Sequence, residues 1–369
     1  MSSGSGASVV CVNGGSSTLK CTRFEVAAEG ELHEADRVEL AAGPSALGDA
    51  LAVVAEHGGA PPRCFAHRIV HGGPLLVEHC VVDDDVVEHL RAAIEFAPLH
   101  LPAEIDAIDA VAAAHPDAVQ VACFDTAFHR TLPPVAQRLP LPQRFHEAGV
   151  RRFGFHGLSC EHVVETVGAR RLGRAVVAHL GSGASLTAVR DGRSIDTSMG
   201  LTPTGGVVMA TRTGDLDPGV LLHLLRDGSH DATEIEELVT RRSGLLGLSG
   251  ETGDMRELLD ARTSGDERAE LAVDAFCTSV AKQVGAFVTV LGGLDSIVFT
   301  GGIGEHAPTV RALVCARLAH LGVLLETDEN DRNGAVISRD GAVVVRVVAT
   351  DENLVMARHA LRLWPPERR

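Results

Sequence analysis

The sequence lacks any surplus of positive charge. Its 33 lysines and arginines face 49 aspartates and glutamates, for a formal net charge of −16. Phosphate backbones are held by massed cations, so nucleic-acid binding is excluded as a main role, and any anion site must be a local basic cluster. The chain also lacks a C-x-x-C pair. Its eight cysteines, at 11, 21, 64, 80, 123, 160, 277 and 315, are scattered through apolar runs and read as reduced core thiols of a cytoplasmic protein. Neither a basic n-region nor an apolar h-region follows Met1, so the opening Met-Ser-Ser-Gly-Ser-Gly reads as a flexible tail and not as a signal peptide. No uncharged apolar run is long enough for a bilayer. The longest, Val284 to Leu294, stops short and contains the pair Gly292-Gly293. We expect no membrane association.

What is present describes a turn-rich α/β protein. Of 369 residues, 45% are apolar and 39 are glycine. That length exceeds one ordinary core and suits two domains. Apolar, β-branched runs at 8–12, 119–124, 175–180, 185–190, 296–300 and 343–348 read as strands. Helical periodicity marks 47–57, 84–95, 103–114, 160–172, 219–226, 233–241, 266–293, 307–321 and 352–364. Alternation of this kind predicts mixed sheets covered by helices. No low-complexity linker separates the halves. The polar, proline-rich stretch from Pro133 to Gly149 is the best boundary, giving domains at 1–150 and 151–351, with the last helix, about 352–369, able to pack back on the first.

Two distant stretches are nearly the same. Val9 to Lys20 reads VVCVNGGSSTLK, and Val176 to Thr187 reads VVAHLGSGASLT. Each is a short apolar strand, a run of small and hydroxyl residues, and a return. Hairpins of this form expose backbone N–H groups that can close on an anion. Their repetition predicts two related halves across a cleft, with a polyphosphate between the loops. Further polar islands sit beside glycines or at the ends of apolar runs, where strand-end loops line clefts: AHRIVHGG from Ala66, FAPLHLP from Phe96, CFDTAFHR from Cys123, RRFGFHG from Arg151, MATRTGDLDP from Met209, VFTGGIGEH from Val298 and TDENL from Thr350.

Each island has a plain structural reading. His67 and His71 have the spacing of a zinc-binding helix, but Ile69-Val70 and the glycines that follow favour a strand. His129 and His156 read equally as core histidines. Arg151-Arg152 reads as a structural or solvated pair, and Asp254-Met255-Arg256 as a helix start. The fragment Gly302-x-Gly304-x-x-Ala307 matches a dinucleotide fingerprint, with too little chain after it for a dinucleotide domain.

Taken together and in order, these islands resemble the acetokinase group of acetate, propionate and butyrate kinases. The likeness runs from Val9 to about Arg358, nearly the whole chain. It rests on NGGSSTLK, HRIVHGG, APLH, FDTAFH, RRFGFHG, HLGSG, DTSMGLTP, ATRTGDLDP, SGLLGLSG, FTGGIGE and TDEN. The resemblance implies a duplicated two-domain actin-like ATPase fold with ribonuclease H-like halves and an interdomain cleft. It also implies ATP-dependent phosphorylation of acetate to acetyl phosphate, with propionate accepted too, in a homodimer. By the same resemblance Arg68 and Arg212 flank the transferring phosphoryl group. His156 donates to its oxygens, and Asp125 fixes an arginine or holds magnesium through water. Asn13 and Glu352 serve Mg²⁺ or Mn²⁺. Asn13, Ser16, Thr18, Lys20 and His100 line the phosphoryl path. Val70, Leu99, Phe155 and Pro203 wall the acyl pocket. Lys20, His179, Gly181, Ser182, Gly183, Asp254, Met255, Arg256, Gly302, Ile303, Gly304 and Glu305 take ATP or ADP. No candidate nucleophile stands out, so direct in-line transfer is expected.

The chain departs from the group's pattern at Ser182, Leu101 and His306, where asparagine is usual, and at Cys160, where histidine often stands. None of these removes a charged catalytic group. The alternatives are a propionate or butyrate kinase of the same group, a dehydrogenase resting on the glycine fingerprint alone, and an actin-like ATPase used for assembly. Only the first explains two arginines at a transfer point together with a small apolar pocket.

Overall fold

Two runs of wholly buried residues, Val9 to Val12 and Ala175 to Ala178, each begin a mixed sheet. The computed structural model describes residues 7–14, 18–27, 30–41, 46–56, 62–226, 228–341 and 343–364, without the side chains of 47 and 53–56. By its contacts the chain divides into two units, Met1–Arg130 with Asp351–Arg369, and Thr131–Thr350. The stretch from Pro133 to Gly149 therefore falls inside the second unit, and residues 131–150 do not belong to the first.

The first unit holds β1 (Ser8–Gly14), β2 (Thr18–Val26), β3 (Leu32–Ala41), β4 (Cys64–Ile69), β5 (Cys80–Val81) and β6 (Val119–Phe124), in the order β3-β2-β1-β4-β6-β5. The first three strands meander antiparallel, while β1, β4 and β6 run parallel. Side chains alternate across a strand. Val10 and Val12 on β1 join Cys21, Ala50, Phe65 and Val111 in a core under the helix Leu101–Ala114. The opposite face carries Cys11 and Cys123, whose thiols reach the Asn353 and Met356 carbonyls of the helix Glu352–Leu363 at 3.2 and 3.9 Å. The last helix thus covers the first unit's sheet.

The second unit holds β7 (Ala175–Leu180), β8 (Ala184–Arg190), β9 (Arg193–Thr197), β10 (Ser296–Thr300) and β11 (Val344–Val347). Its order, β11-β10-β7-β8-β9, read from the other edge repeats the first sheet: a three-strand meander, then two parallel strands beside its first member. A short antiparallel edge, β5, is the first sheet's addition. The helix Glu267–Leu291 packs against β7, β8 and β9 through a stripe at Val273, Phe276, Val280, Val284 and Phe287. By length and composition it could cross a bilayer. Its stripe makes it the core helix of this unit instead.

The strands expected at 119–124, 175–180 and 296–300 match β6, β7 and β10. Strands β2 and β3 escaped the apolar-run criterion because Lys20, Arg23 and Glu25 break β2, and β3 alternates exposed charges along an edge. The helix expected at 160–172 divides at Gly168, whose φ of +87° ends Gly157–Val167 before a short turn at Ala169–Leu172.

Arg311 locks the second unit's loop after β10. Fully buried, it donates from Nη1 to the Gly304 and Glu305 carbonyls at 2.9 Å, from Nε to Asn330 Oδ1 at 2.9 Å, and from Nη2 to the Asn330 carbonyl and Asn333 Oδ1 at 2.6 Å. Arg311→Met strands several buried acceptors and should cost on the order of 3 kcal/mol. Arg91→Met, which breaks only an exposed pair with Asp109, should cost no more than about 1 kcal/mol. Urea unfolding midpoints of the two variants test the contrast.

Candidate active site

In the first unit, strand alternation gathers the predicted residues. Cys11, Asn13, Arg68 and Cys123 lie on one face through the registers Cys11 to Ala66 and Arg68 to Cys123. Asp125 follows at the end of β6. All sit at or near the carboxyl ends of parallel strands, where open α/β sheets hold ligands. Arg68 Nε donates to both Asp125 oxygens at 3.2 and 3.1 Å, and its Nη2 to Oδ2 at 2.5 Å. Its Nη1 donates to the Gly14 carbonyl at 3.0 Å and faces Asn13 Oδ1 at 3.5 Å. Glu352 Oε2 lies 3.9 Å from Arg68 Nε and accepts from Asn13 Nδ2 at 3.1 Å. Asn13 also donates to Asn353 Oδ1 at 3.1 Å.

Burial alone would weaken the charge on Arg68, but Asp125 and Glu352 outweigh it and hold the guanidinium above its ordinary range. Burial pushes the Asp125 carboxyl up, Arg68 pulls it down, and Glu352 pushes it up again. The expected pair Asn13 and Glu352 are brought together through the Asn13 amide nitrogen, its oxygen facing Arg68, and the Glu352 carboxylate is the hard oxygen donor that Mg²⁺ takes alongside phosphate oxygens. Val70 is buried and its N–H donates to Glu104 Oε2 at 3.0 Å. Leu99 is exposed, and His100 stands at the N-cap of Leu101–Ala114. Thr18 begins β2, and Lys20 Nζ lies 3.5 Å from Glu39. Ser16 lies outside the described residues. His67 points to the opposite face, bonded to Gln120 at 2.8 Å, and burial lowers its pKa to about 4 against that bond. It is a core histidine on a strand.

The second unit assembles a different set. His156 caps Gly157–Val167 with φ +57°, a left-handed conformation that costs a non-glycine residue about 1–3 kcal/mol. Its Nδ1 pairs with Ser185 Oγ at 2.9 Å, and its ring stacks on His179 at 4.2 Å. His179 Nδ1 pairs with Ser159 Oγ at 2.8 Å, and the Thr350 hydroxyl donates to Ser159 at 2.9 Å. Arg212 Nη1 donates to the Pro203 carbonyl at 3.0 Å. A Cβ on Gly183 would lie 3.3 Å from both Arg212 Nη1 and His156 Nε2, so the guanidinium and the imidazole converge over the second hairpin. That hairpin is closed by the Gly181 N–H on the Gly183 carbonyl at 3.0 Å, and the Ser182 carbonyl accepts from Ala210 at 3.1 Å. Phe155 is buried beside His156 in sequence.

The nucleotide candidates form two loop-to-helix starts. Gly301 needs φ +77°, and Gly304 lies close on β7 and β10, whereas a side chain at Gly302 would meet nothing within 4 Å. Glu305 Oε1 accepts the N–H groups of Gly301 and Thr350 at 2.9 and 3.0 Å, and Ile303 is half-buried between. Asp254 caps Met255–Thr263. Arg256 bonds to it at 2.9 Å and holds its carboxyl below the usual range, while Met255 is buried. Arg152 donates to the carbonyls of Thr197, Ser198 and Met199, the structural role expected of it.

Glu104 was missed. It is buried, its Oε1 has no hydrogen-bond partner among the described residues, and burial pushes it up to about 8 against the Val70 N–H and Arg68. A signal existed: Leu101, Ile105, Ile108 and Val111 form the helix's buried stripe, and Glu104 falls on it.

A family model described as the acetokinase family matches residues 63–358. An acetate kinase of Rhodopseudomonas palustris (strain TIE-1) is 48% identical over 305 residues, 80% of this chain and 76% of that protein. Among solved structures, a propionate kinase from Francisella tularensis superposes with TM-score 0.87 and 33% identity, covering 97% of this chain and all of that one. An acetate kinase of Porphyromonas gingivalis does so with TM-score 0.85 and 32% identity over the same shares.

Asp125→Asn leaves Arg68 without its main counter-charge and should destabilise the protein by about 3 kcal/mol. Glu352→Gln, which removes the carboxylate 3.9 Å away, should cost less than half as much. Thermal unfolding of both variants at pH 7 tests the ranking.

Proposed function

We propose, from the premise that the chain belongs to the acetokinase family, that it is an acetate kinase. It phosphorylates acetate with ATP to give acetyl phosphate, reversibly, and accepts propionate as well. The observation that carries this reading is the permanently charged Arg68, anchored by Asp125 beside Asn13 and Glu352 at the strand ends of the first unit. The mixed α/β build with its repeated sheet is that of the actin-like ATPase fold.

Phosphoryl transfer asks for positioning and charge neutralisation more than for covalent chemistry. Arg68 and Arg212 neutralise the transferring group, a role suited to a planar, always-charged fork. Asp125 holds the Arg68 fork in one orientation. His156 Nε2 donates to the phosphoryl oxygens, its ring fixed by Ser185 on one nitrogen and by His179 beneath. Asn13, Ser16, Thr18, Lys20 and His100 line the phosphoryl path. Asn13 and Glu352 would hold Mg²⁺ or Mn²⁺, which would supply charge neutralisation for the phosphate oxygens. Val70, Leu99, Phe155 and Pro203 select a short acyl chain. One methylene is worth only about 1–3 kcal/mol in such a pocket, which is why propionate is admitted.

On the nucleotide side, His179, Gly181, Ser182 and Gly183 take the phosphates of ATP or ADP with Lys20. Gly302, Ile303, Gly304 and Glu305 with Asp254, Met255 and Arg256 take the nucleoside. The open space over Gly302 supports this assignment. We place the enzyme in the cytoplasm as a homodimer, with the second unit as interface. The exposed Leu216, Val220, Leu222 and Leu225 in and beside the helix Pro218–Arg226 support that choice.

Acetate-dependent consumption of ATP, with acetyl phosphate trapped as the hydroxamate, is the expected result, and hydrolysis indifferent to acetate would overturn it. Transfer from a chiral phosphoryl donor should invert configuration; retention would mean a covalent intermediate. Arg68→Ala and Arg212→Ala should each lower turnover by about 10²–10³. Gly183→Ala, which intrudes on Arg212 and His156, should lower kcat by on the order of tenfold while leaving the thermal midpoint nearly unchanged.

A further inference from the structure

We propose that Glu104 is a positioning residue of this reaction, a neutral acid that clamps the backbone at Val70 and spares Arg68 a third carboxylate. The inference rests on the reading of Arg68 as a phosphoryl-binding group.

Glu104 lies in the first turn of Leu101–Ala114, directly after His100, and reaches across to the chain as it leaves β4. The Val70 N–H donates to Oε2, so Glu104 ties the acyl-wall residue to the helix that His100 caps. Its Oε1 is buried without a hydrogen-bond partner among the described residues. An ionised carboxylate in that position would hold a full charge away from water with a single hydrogen bond, whereas a protonated one loses little. Arg68 and Asp125 are both within its electrostatic reach. With Asp125 and Glu352 already beside Arg68, an ionised Glu104 would set three negative charges against one guanidinium and oppose an incoming acetate or phosphoryl anion.

The surroundings leave few other candidates for this behaviour. On β4, His67 is bonded to Gln120 and kept neutral by burial. After β4, His71 takes the Gly73 N–H on Nδ1 and stacks on Phe96. The helix Asp84–Ala92, packed against Leu101–Ala114, presents Arg91, which pairs with Asp109 at the exposed side, and carries Asp84, Asp85, Glu88 and His89. On its own helix Glu104 is joined by Asp106 and Asp109, and by His100 at the cap.

The test uses the full-length wild-type enzyme and Glu104→Gln, whose amide oxygen still accepts from Val70 but takes up no charge. Acetate KM and kcat are measured from pH 6.5 to 9.5. In the wild type, KM for acetate should rise about three- to tenfold as pH passes about 8, with kcat changing less. In Glu104→Gln the rise should be absent. Because the folded group holds its proton to about 8 against an ordinary 4.5, its contribution to stability is full below 4.5 and lost as pH rises through 8. The thermal midpoint of Glu104→Gln should therefore gain on the wild type with rising pH. Should the variant not fold, ¹³C-carboxyl NMR of the wild type decides: one glutamate should titrate near 8. A wild-type KM flat across the range, the same rise in Glu104→Gln, or no glutamate titrating above about 6 would overturn the proposal. Absence of acetate-dependent turnover at every pH would overturn the reading of Arg68, and this inference with it.

Discussion

A buried guanidinium must be neutralised on the spot, and the first unit is organised around meeting that demand at Arg68. Removing the partner of a buried charge costs about 3–5 kcal/mol, and three separate segments supply Arg68 with an acceptor or a carboxylate. Asp125 arrives from the end of β6, the Gly14 carbonyl from the end of β1, and Glu352 from the far end of the chain. The last contribution explains why the C-terminal helix belongs to the first unit. Glu352 is its first residue, and the same helix closes the sheet face through the Asn353 and Met356 carbonyls. Position is set by alternation: a one-residue slip of β4 would turn Arg68 to the His67 face and bury it under Leu101–Ala114 without partners.

The second unit holds its set together through stacked rings and side-chain hydroxyls. His156 and His179 are stacked, and each ring is fixed by a serine, Ser185 on β8 and Ser159 on the helix that His156 caps. From Ser159 the bonds continue through the Thr350 hydroxyl, and the Thr350 N–H meets Glu305, which also holds Gly301. The hairpin strand, the helix cap and the helix start after β10 are thus joined in one hydrogen-bonded chain. Arg212 Nη1, held by the Pro203 carbonyl, and His156 Nε2 converge over Gly183.

How much of this was legible follows from what each feature does to the sequence. The paired hairpins were visible because a tight turn between two strands takes small residues, and that leaves the same trace at Asn13 and at Gly181. The order of the islands carried the family, and period-two alternation would have placed Asn13 and Arg68 on one face once β1 and β4 were known to pair in register. The meander strands were hidden because an edge strand such as β3 shows solvent its charges. The unit boundary was hidden because Pro133 to Gly149 is polar and turn-rich yet docks within the second unit, where the Gln137 carbonyl takes the Arg152 N–H and the Thr131 hydroxyl donates to the Ser194 carbonyl. Polarity marks exposure, and exposure does not mark a border. Glu104 was overlooked for the opposite reason: a glutamate in a first helical turn is so ordinary a partner for the helix dipole that its place on the apolar stripe went unweighed.

The departure at Leu101 and the state of Glu104 belong to one argument. The position after His100 is fully buried, and Leu101 fills it with apolar volume where a polar side chain would need partners. The backbone of Val70 is served from the first turn of the same helix, where Glu104 accepts its N–H at 3.0 Å. A carboxyl group can do this inside a core only if it gives up its charge, since two carboxylates already face Arg68. Holding that proton carries a price in pH range that an amide at Glu104 would not impose.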